Sequence, residues 1–95
     1  MNVDWTEPAV GDLRQVRAYI GLRNKQAARR VATRVRAAVA ILEEHPAAGR
    51  AGRVPGTREL VVTGTPFIVA YRVRSKTIEI LRVLHGAQEW PEKLP

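Results

Sequence analysis

Apolar residues recur along the first half of the chain with a helical period. Ala9, Leu13, Val16 and Ile20 step by four, three and four, which puts them on one stripe, while Asp12, Arg14 and Arg17 fall off it. Thr6 supplies a capping hydroxyl ahead of Glu7-Pro8, where a proline in the first turn loses no hydrogen bond, so a helix is predicted to begin there and to end at Gly21. Asn24 caps a longer second helix in which Ala28, Val31, Val35, Ala38 and Leu42 form the apolar stripe, and His45-Pro46 stops it. At about 100° per residue, Lys25, Arg29 and Arg36 cluster opposite that stripe, with Arg30 and Arg34 along one edge. Two amphipathic helices joined by two or three residues predict an antiparallel hairpin. Residues 2–5 alternate weakly and end in Trp5.

The second half changes period. Residues 46–57 are rich in Pro and Gly with nothing periodic, which predicts a loop. Three β-branched and aliphatic runs follow, at 58–63, 67–73 and 77–84, separated by the turn-length segments Gly64-Thr65-Pro66 and Arg74-Ser75-Lys76. They predict a three-stranded antiparallel meander whose second and third strands, apolar at both parities, are covered on both faces. Residues 85–95 read as an irregular tail.

Size and composition set limits on this picture. Ninety-five residues, 45% of them hydrophobic, make one domain with a single core. No apolar run approaches the roughly 20 residues a membrane span needs, and the N-terminal stretch lacks the pattern of a secretory signal, so a cytoplasmic location is expected, with no membrane partner. The absence of cysteine removes thiolate chemistry, disulfides and cysteine metal sites. The two histidines, His45 and His85, lie forty residues apart in different kinds of element, and Gly49-Arg50-Ala51-Gly52 lies between a helix and a strand rather than the reverse, so neither a metal centre nor a phosphate loop is expected and no cofactor is implied. The net charge of +7 favours a polyanionic partner, nucleic acid or an acidic protein segment, and thirteen of the sixteen cations are arginines, suited to bidentate contact with phosphate or carboxylate.

The polar residues on or beside the meander are Arg58, Arg72, Arg82, His85 and Gln88. Antiparallel pairing makes Arg58 and Arg72 neighbours and sends Arg82 and His85 to the opposite side of the middle strand. Arginines with one imidazole are a combination that metal-free RNA cleavage can use, the cations stabilising the charge on phosphate and the imidazole transferring a proton. Equally consistent with the residues alone are salt-bridged strand arginines, with Glu59 and Glu79 available, and a strand-end histidine bonded to backbone. Trp5 and Trp90 are expected to be core and tail anchors.

The loop Gly49-Arg50-Ala51-Gly52-Arg53-Val54-Pro55-Gly56-Thr57-Arg58-Glu59-Leu60, the block from Thr65 to Val73, and Leu84-His85-Gly86-Ala87-Gln88-Glu89-Trp90-Pro91 resemble the RelE/ParE family of toxins from type II toxin–antitoxin systems, also called plasmid stabilisation proteins. The similarity runs over nearly the whole chain. It implies an α+β fold of order β-α-α-β-β-β, an N-terminal strand and an antiparallel two-helix hairpin packed on an antiparallel meander, as one domain spanning residues 1–95. It also implies a cognate antitoxin whose acidic or amphipathic C-terminal segment neutralises the toxin, in a heterotetramer or similar assembly, with operator DNA reached only through the antitoxin. Within such a family two mechanisms are open. A ribosome-dependent mRNA endonuclease would use Arg58 and Arg72 as clamps, Arg82 as a second cation and His85 as proton donor or acceptor, with ribosome and mRNA as partners. A non-enzymatic inhibitor would bind DNA gyrase through Lys25, Arg29 and Arg36 on the outer face of the hairpin. A module member that only binds its antitoxin is a third possibility.

Overall fold

The computed structural model describes all residues from Met1 to Pro95. Strand β1 (Asn2–Trp5) leads into helices α1 (Glu7–Gly21) and α2 (Lys25–Glu44), followed by β2 (Arg50–Ala51), β3 (Arg58–Val61), β4 (Phe67–Arg74) and β5 (Thr77–His85). Both predicted caps form: the Thr6 hydroxyl accepts from the Ala9 amide and donates to the Ile80 carbonyl at 2.8 Å, and Asn24 Oδ1 accepts from the Ala27 amide at 3.0 Å. Thr6 therefore closes the first helix and ties its start to the sheet, which places α1 alongside β5.

The five strands lie in the order β1-β5-β4-β3-β2. The meander β3–β4–β5 is antiparallel as expected, and β1 adds to its far edge as a parallel partner of β5, Asn2 opposite Thr77 and Trp5 opposite Ile80. Parallel neighbours cannot be joined by a tight turn, and here the chain passes from β1 through the helical hairpin to the opposite edge of the sheet and returns through β2, β3 and β4 to β5. The segment 46–57, expected to be wholly loop, contains the two-residue β2, whose Arg50 lies opposite Glu59. Its pairing is short because Gly49 and Gly52 bracket it in a sequence without alternation.

The core forms where the apolar stripes of the helices meet one face of the sheet: Ala9, Val35, Leu42, Tyr71, Ile78 and Ile80 are all fully buried there. Each of the Val, Leu and Ile side chains among them contributes about 1.5–3 kcal/mol by leaving water. Ile68, Ala70, Leu81 and Leu84 are buried as well but lie outside that cluster. By the alternation of β4, Ile68 and Ala70 face away from the helices, so the two central strands are covered on both faces, as their sequences imply. The C-terminal segment supplies part of that cover, since a Cβ placed on Gly86 would lie 3.3 Å from Ile68 Cδ1 and the Trp90 indole N–H donates to the His85 carbonyl. No helix is long and apolar enough to cross a membrane.

Candidate functional site

The strand register fixes where the four candidate catalytic residues sit. Arg58 lies opposite Tyr71, Arg72 opposite Glu79, Arg82 opposite Ala70 and His85 opposite Phe67. Arg72 and His85 therefore mark positions five residues apart along β4, about 16 Å at the rise of a strand. Arg58 and Arg72 are neighbours in register, but Arg58 shares a face with Tyr71 and Arg72, one residue on, projects from the other face. The set does not converge on a space the size of one phosphate.

Each of the four also has a partner. The Arg58 guanidinium donates to the Gly49 carbonyl at 2.8 Å. Arg72 pairs with Glu79 at 3.0 Å and donates to the Pro95 backbone oxygen at 3.1 Å. Arg82 makes a bidentate pair with Asp12 of α1, at 2.6 and 2.9 Å, and the same carboxylate accepts the Val83 amide at 2.9 Å. Asp12 thus satisfies β5 beyond the point where β1 stops pairing with it, and holds α1 against the strand. Hydrogen bonding to Asp12 raises the Arg82 pKa above its ordinary value. His85 Nδ1 accepts from the Ala87 amide at 3.0 Å, and its ring meets Phe67 edge to face at 5.7 Å between centroids. Only Nε2 is left to face a reacting group.

Other residues organise this region: Glu59, available from the sequence as a partner for the strand arginines, turns to the loop instead, and Arg53, Tyr71 and Gly49 have roles that the sequence did not mark. Glu59 is 97% buried, and its carboxylate accepts the Arg53 amide at 2.7 Å and pairs with the Arg50 and Arg53 guanidinium groups. Arg53 in turn stacks over the Trp90 ring at 3.9 Å, so loop and C-terminal segment are joined through one arginine. The Tyr71 hydroxyl donates to the Pro46 carbonyl at 2.7 Å and accepts the Gly49 amide at 2.8 Å, anchoring the chain that leaves α2. Gly49 fits because a Cβ there would come within 2.7 Å of that hydroxyl. Of these contacts, sequence spacing offers only the placement of Arg50 and Arg53 within one tight loop opposite a strand glutamate.

The hairpin differs in kind. Residues 8–42 hold eight of the sixteen Lys and Arg but one of the nine acids, Asp12, so they carry the entire net charge of +7 and the rest of the chain balances to zero. Every ion pair in the molecule uses a cation from outside this segment. Lys25 and Arg29 of α2 join Arg14 and Arg17 of α1 around a groove of about 450 Å³ lined also by Ala18, Gly21, Leu22 and Ala28. A smaller groove of about 210 Å³ continues along the hairpin between Arg36 and the same α1 arginines, over Trp5, Val10 and Leu13. The three hairpin cations predicted from the sequence therefore lie along one continuous channel, and Arg14 and Arg17 complete it.

Comparison with known proteins places the whole arrangement. The family model described as the ParE toxin of a type II toxin–antitoxin system, parDE, matches residues 3–90. The chain belongs to the ParE toxin family. A 45% identity relates it to the protein Y4kP of Sinorhizobium fredii, over 98% of this chain and 96% of that one. It is 38% identical to Toxin RelE2 of Caulobacter vibrioides, over 92% of this chain and 97% of the relative. A solved structure of the chromosomal ParDE system from P. aeruginosa superposes with a TM-score of 0.82 at 30% identity, covering 90% of this chain and 95% of that one. This ParE-family chain is thus a toxin of a type II toxin–antitoxin system, with a cognate antitoxin as its partner.

Proposed function

We propose that this ParE-family toxin arrests growth by binding DNA gyrase through the channelled face of its helical hairpin, without cutting nucleic acid itself. The observation that supports this reading is the contrast in cation use: Arg58, Arg72 and Arg82 are committed to carbonyl or carboxylate partners and stand apart from His85, whereas Lys25, Arg29 and Arg36 have no acidic partner. A nuclease needs its cations and its proton-transfer group to meet at one phosphate, and an inhibitor that works by occupancy needs only an accessible complementary surface. The guanidinium groups of the hairpin offer such a surface to an acidic face of a target protein.

The test is a gyrase supercoiling assay with purified toxin and two variants. Inhibition should survive Arg72→Ala combined with His85→Ala and be lost on reversing Arg29 and Arg36 to glutamate. Codon-spaced mRNA cleavage in a translating extract that disappears with His85→Ala, together with normal supercoiling, would overturn the reading in favour of ribosome-dependent endonuclease action.

A further inference from the structure

Charge on α2 runs against the stability of the helix that carries it. Lys25 occupies the N-terminal turn, where the helix dipole favours an anion, and Glu43 and Glu44 close the C-terminal turn, where it favours a cation. Lys25 and Arg29 stand four residues apart, as do Arg30 and Arg34, so like charges face one another along the surface. A merely solvated helix face would alternate sign at these spacings. Here no carboxylate pairs with the hairpin cations, so the repulsion is left without a counter-charge that an external polyanion would supply.

The identity of that polyanion follows from what surrounds the cations. At 100° and 1.5 Å per residue, Lys25, Arg29 and Arg36 fall within about 40° of one another and span about 16 Å of helix, which forms a straight rail rather than a point site. Every exposed residue of α2 between Lys25 and Arg36 is polar, and five of those seven are cationic. No aromatic or aliphatic side chain is exposed on α2 itself between Lys25 and Arg36; the apolar groups beside the rail, Leu22 in one groove and Trp5, Val10 and Leu13 in the other, come from β1, α1 and the residue that caps the end of α1. The polar groups are guanidinium in all but one of the five cations, matched to phosphate oxygens, and no amide or carboxylate side chain interrupts the row to read base edges apart from Gln26.

We propose that the α2 rail of Lys25, Arg29 and Arg36, flanked by Arg14 and Arg17, binds the phosphodiester backbone of duplex DNA directly and without reading its sequence. This departs from the expectation that DNA is reached only through the antitoxin. It is also separable from the gyrase reading, because it is measured with no gyrase present.

The experiment is fluorescence anisotropy of the purified chain titrated onto a labelled duplex of arbitrary sequence at several salt concentrations. Binding is expected to weaken linearly on logarithmic axes, with a slope near −0.9 for each phosphate neutralised. Replacing Lys25, Arg29 and Arg36 together with glutamine should reduce the magnitude of that slope by about 2 to 3 and weaken binding at least about tenfold at low salt. Arg29→Gln alone should reduce it by about 1, which serves if the triple variant loses its helical circular dichroism. Removing two cations from the β4–β5 turn, Arg74→Gln with Lys76→Gln, should leave the slope nearly unchanged. The proposal is overturned by any of three results: no binding at 50 mM salt, equal weakening by the turn variant, or displacement by polyglutamate or single-stranded RNA at lower concentration than by unlabelled duplex.

Discussion

The eight cations outside residues 8–42 and the eight of the helical hairpin are equal in number and differ in use. Outside residues 8–42, Arg50, Arg53, Arg72, Arg74 and Arg82 each pair with a carboxylate and Arg58 with a carbonyl. Within the hairpin only Arg34 has a protein partner, the Thr63 carbonyl at 3.0 Å. The same residue type therefore fastens the sheet to its surroundings in one half of the molecule and remains available to a ligand in the other. An arginine's presence in a strand beside a histidine says little about chemistry until its partner is known.

The sharpest way to break this comparison is to reverse the charge of Arg29 and Arg36 together. Growth arrest on expression without antitoxin should be abolished while denaturant-measured stability stays within about 0.5 kcal/mol, since exposed unpaired cations contribute little to folding. A large loss of stability would show that the hairpin cations are structural after all.

Next in size is Asp12→Ala, which leaves the partly buried Arg82 guanidinium and the Val83 amide without their acceptor. A loss of about 2–3 kcal/mol is expected, on the order of 10 °C or more in Tm for a domain of this size, read by thermal unfolding. Because the pairing raises the Arg82 pKa, this stabilisation is present at every pH below the ordinary arginine value and is lost only as pH rises beyond the raised one, so its arginine side is constant through the neutral range. A loss under 1 kcal/mol would place Arg82 among the free cations and restore it as a candidate for catalysis.

Tyr71→Phe should cost about 2 kcal/mol, because the buried Gly49 amide loses its acceptor and the Pro46 carbonyl its donor. Urea unfolding would measure it, and no change in supercoiling inhibition should accompany it at temperatures where the variant is folded. The smallest expected effect has the opposite sign. Arg30→Glu replaces a repulsive contact with Arg34 by an attractive one in the better orientation and should stabilise the chain by about 0.5 kcal/mol. Failure to stabilise would show that the hairpin's like charges are already relieved within the molecule.

Much of the architecture was legible in the sequence because local signals and the burial pattern agree. Thr6 and Asn24 cap the helices at the positions their side chains predict, the stripe from Ala28 to Leu42 faces inward while that from Ala9 to Ile20 is fully buried only at Ala9, and the strands turn at Gly64 and at Ser75, the latter with φ of +56°. The parallel pairing of β1 with β5 was not legible, since four weakly alternating residues carry no information about a partner more than seventy positions away. Nor was β2, whose two residues have no periodicity to read.

For the candidate site the division is sharper. Which residues are cationic, that Lys25, Arg29 and Arg36 share one helical face, and that this face turns away from the core are all readable in the sequence, because a helix converts spacing into direction with no help from the rest of the fold. Long-range packing set the rest: Asp12 takes Arg82, Arg72 and His85 mark points about 16 Å apart along one strand, and Glu59 gathers Arg50 and Arg53, of which Arg53 stacks on Trp90. Those outcomes depend on which groups the chain brings within hydrogen-bonding distance across long sequence separations, and a carboxylate seventy residues away leaves no local signature on the arginine it holds.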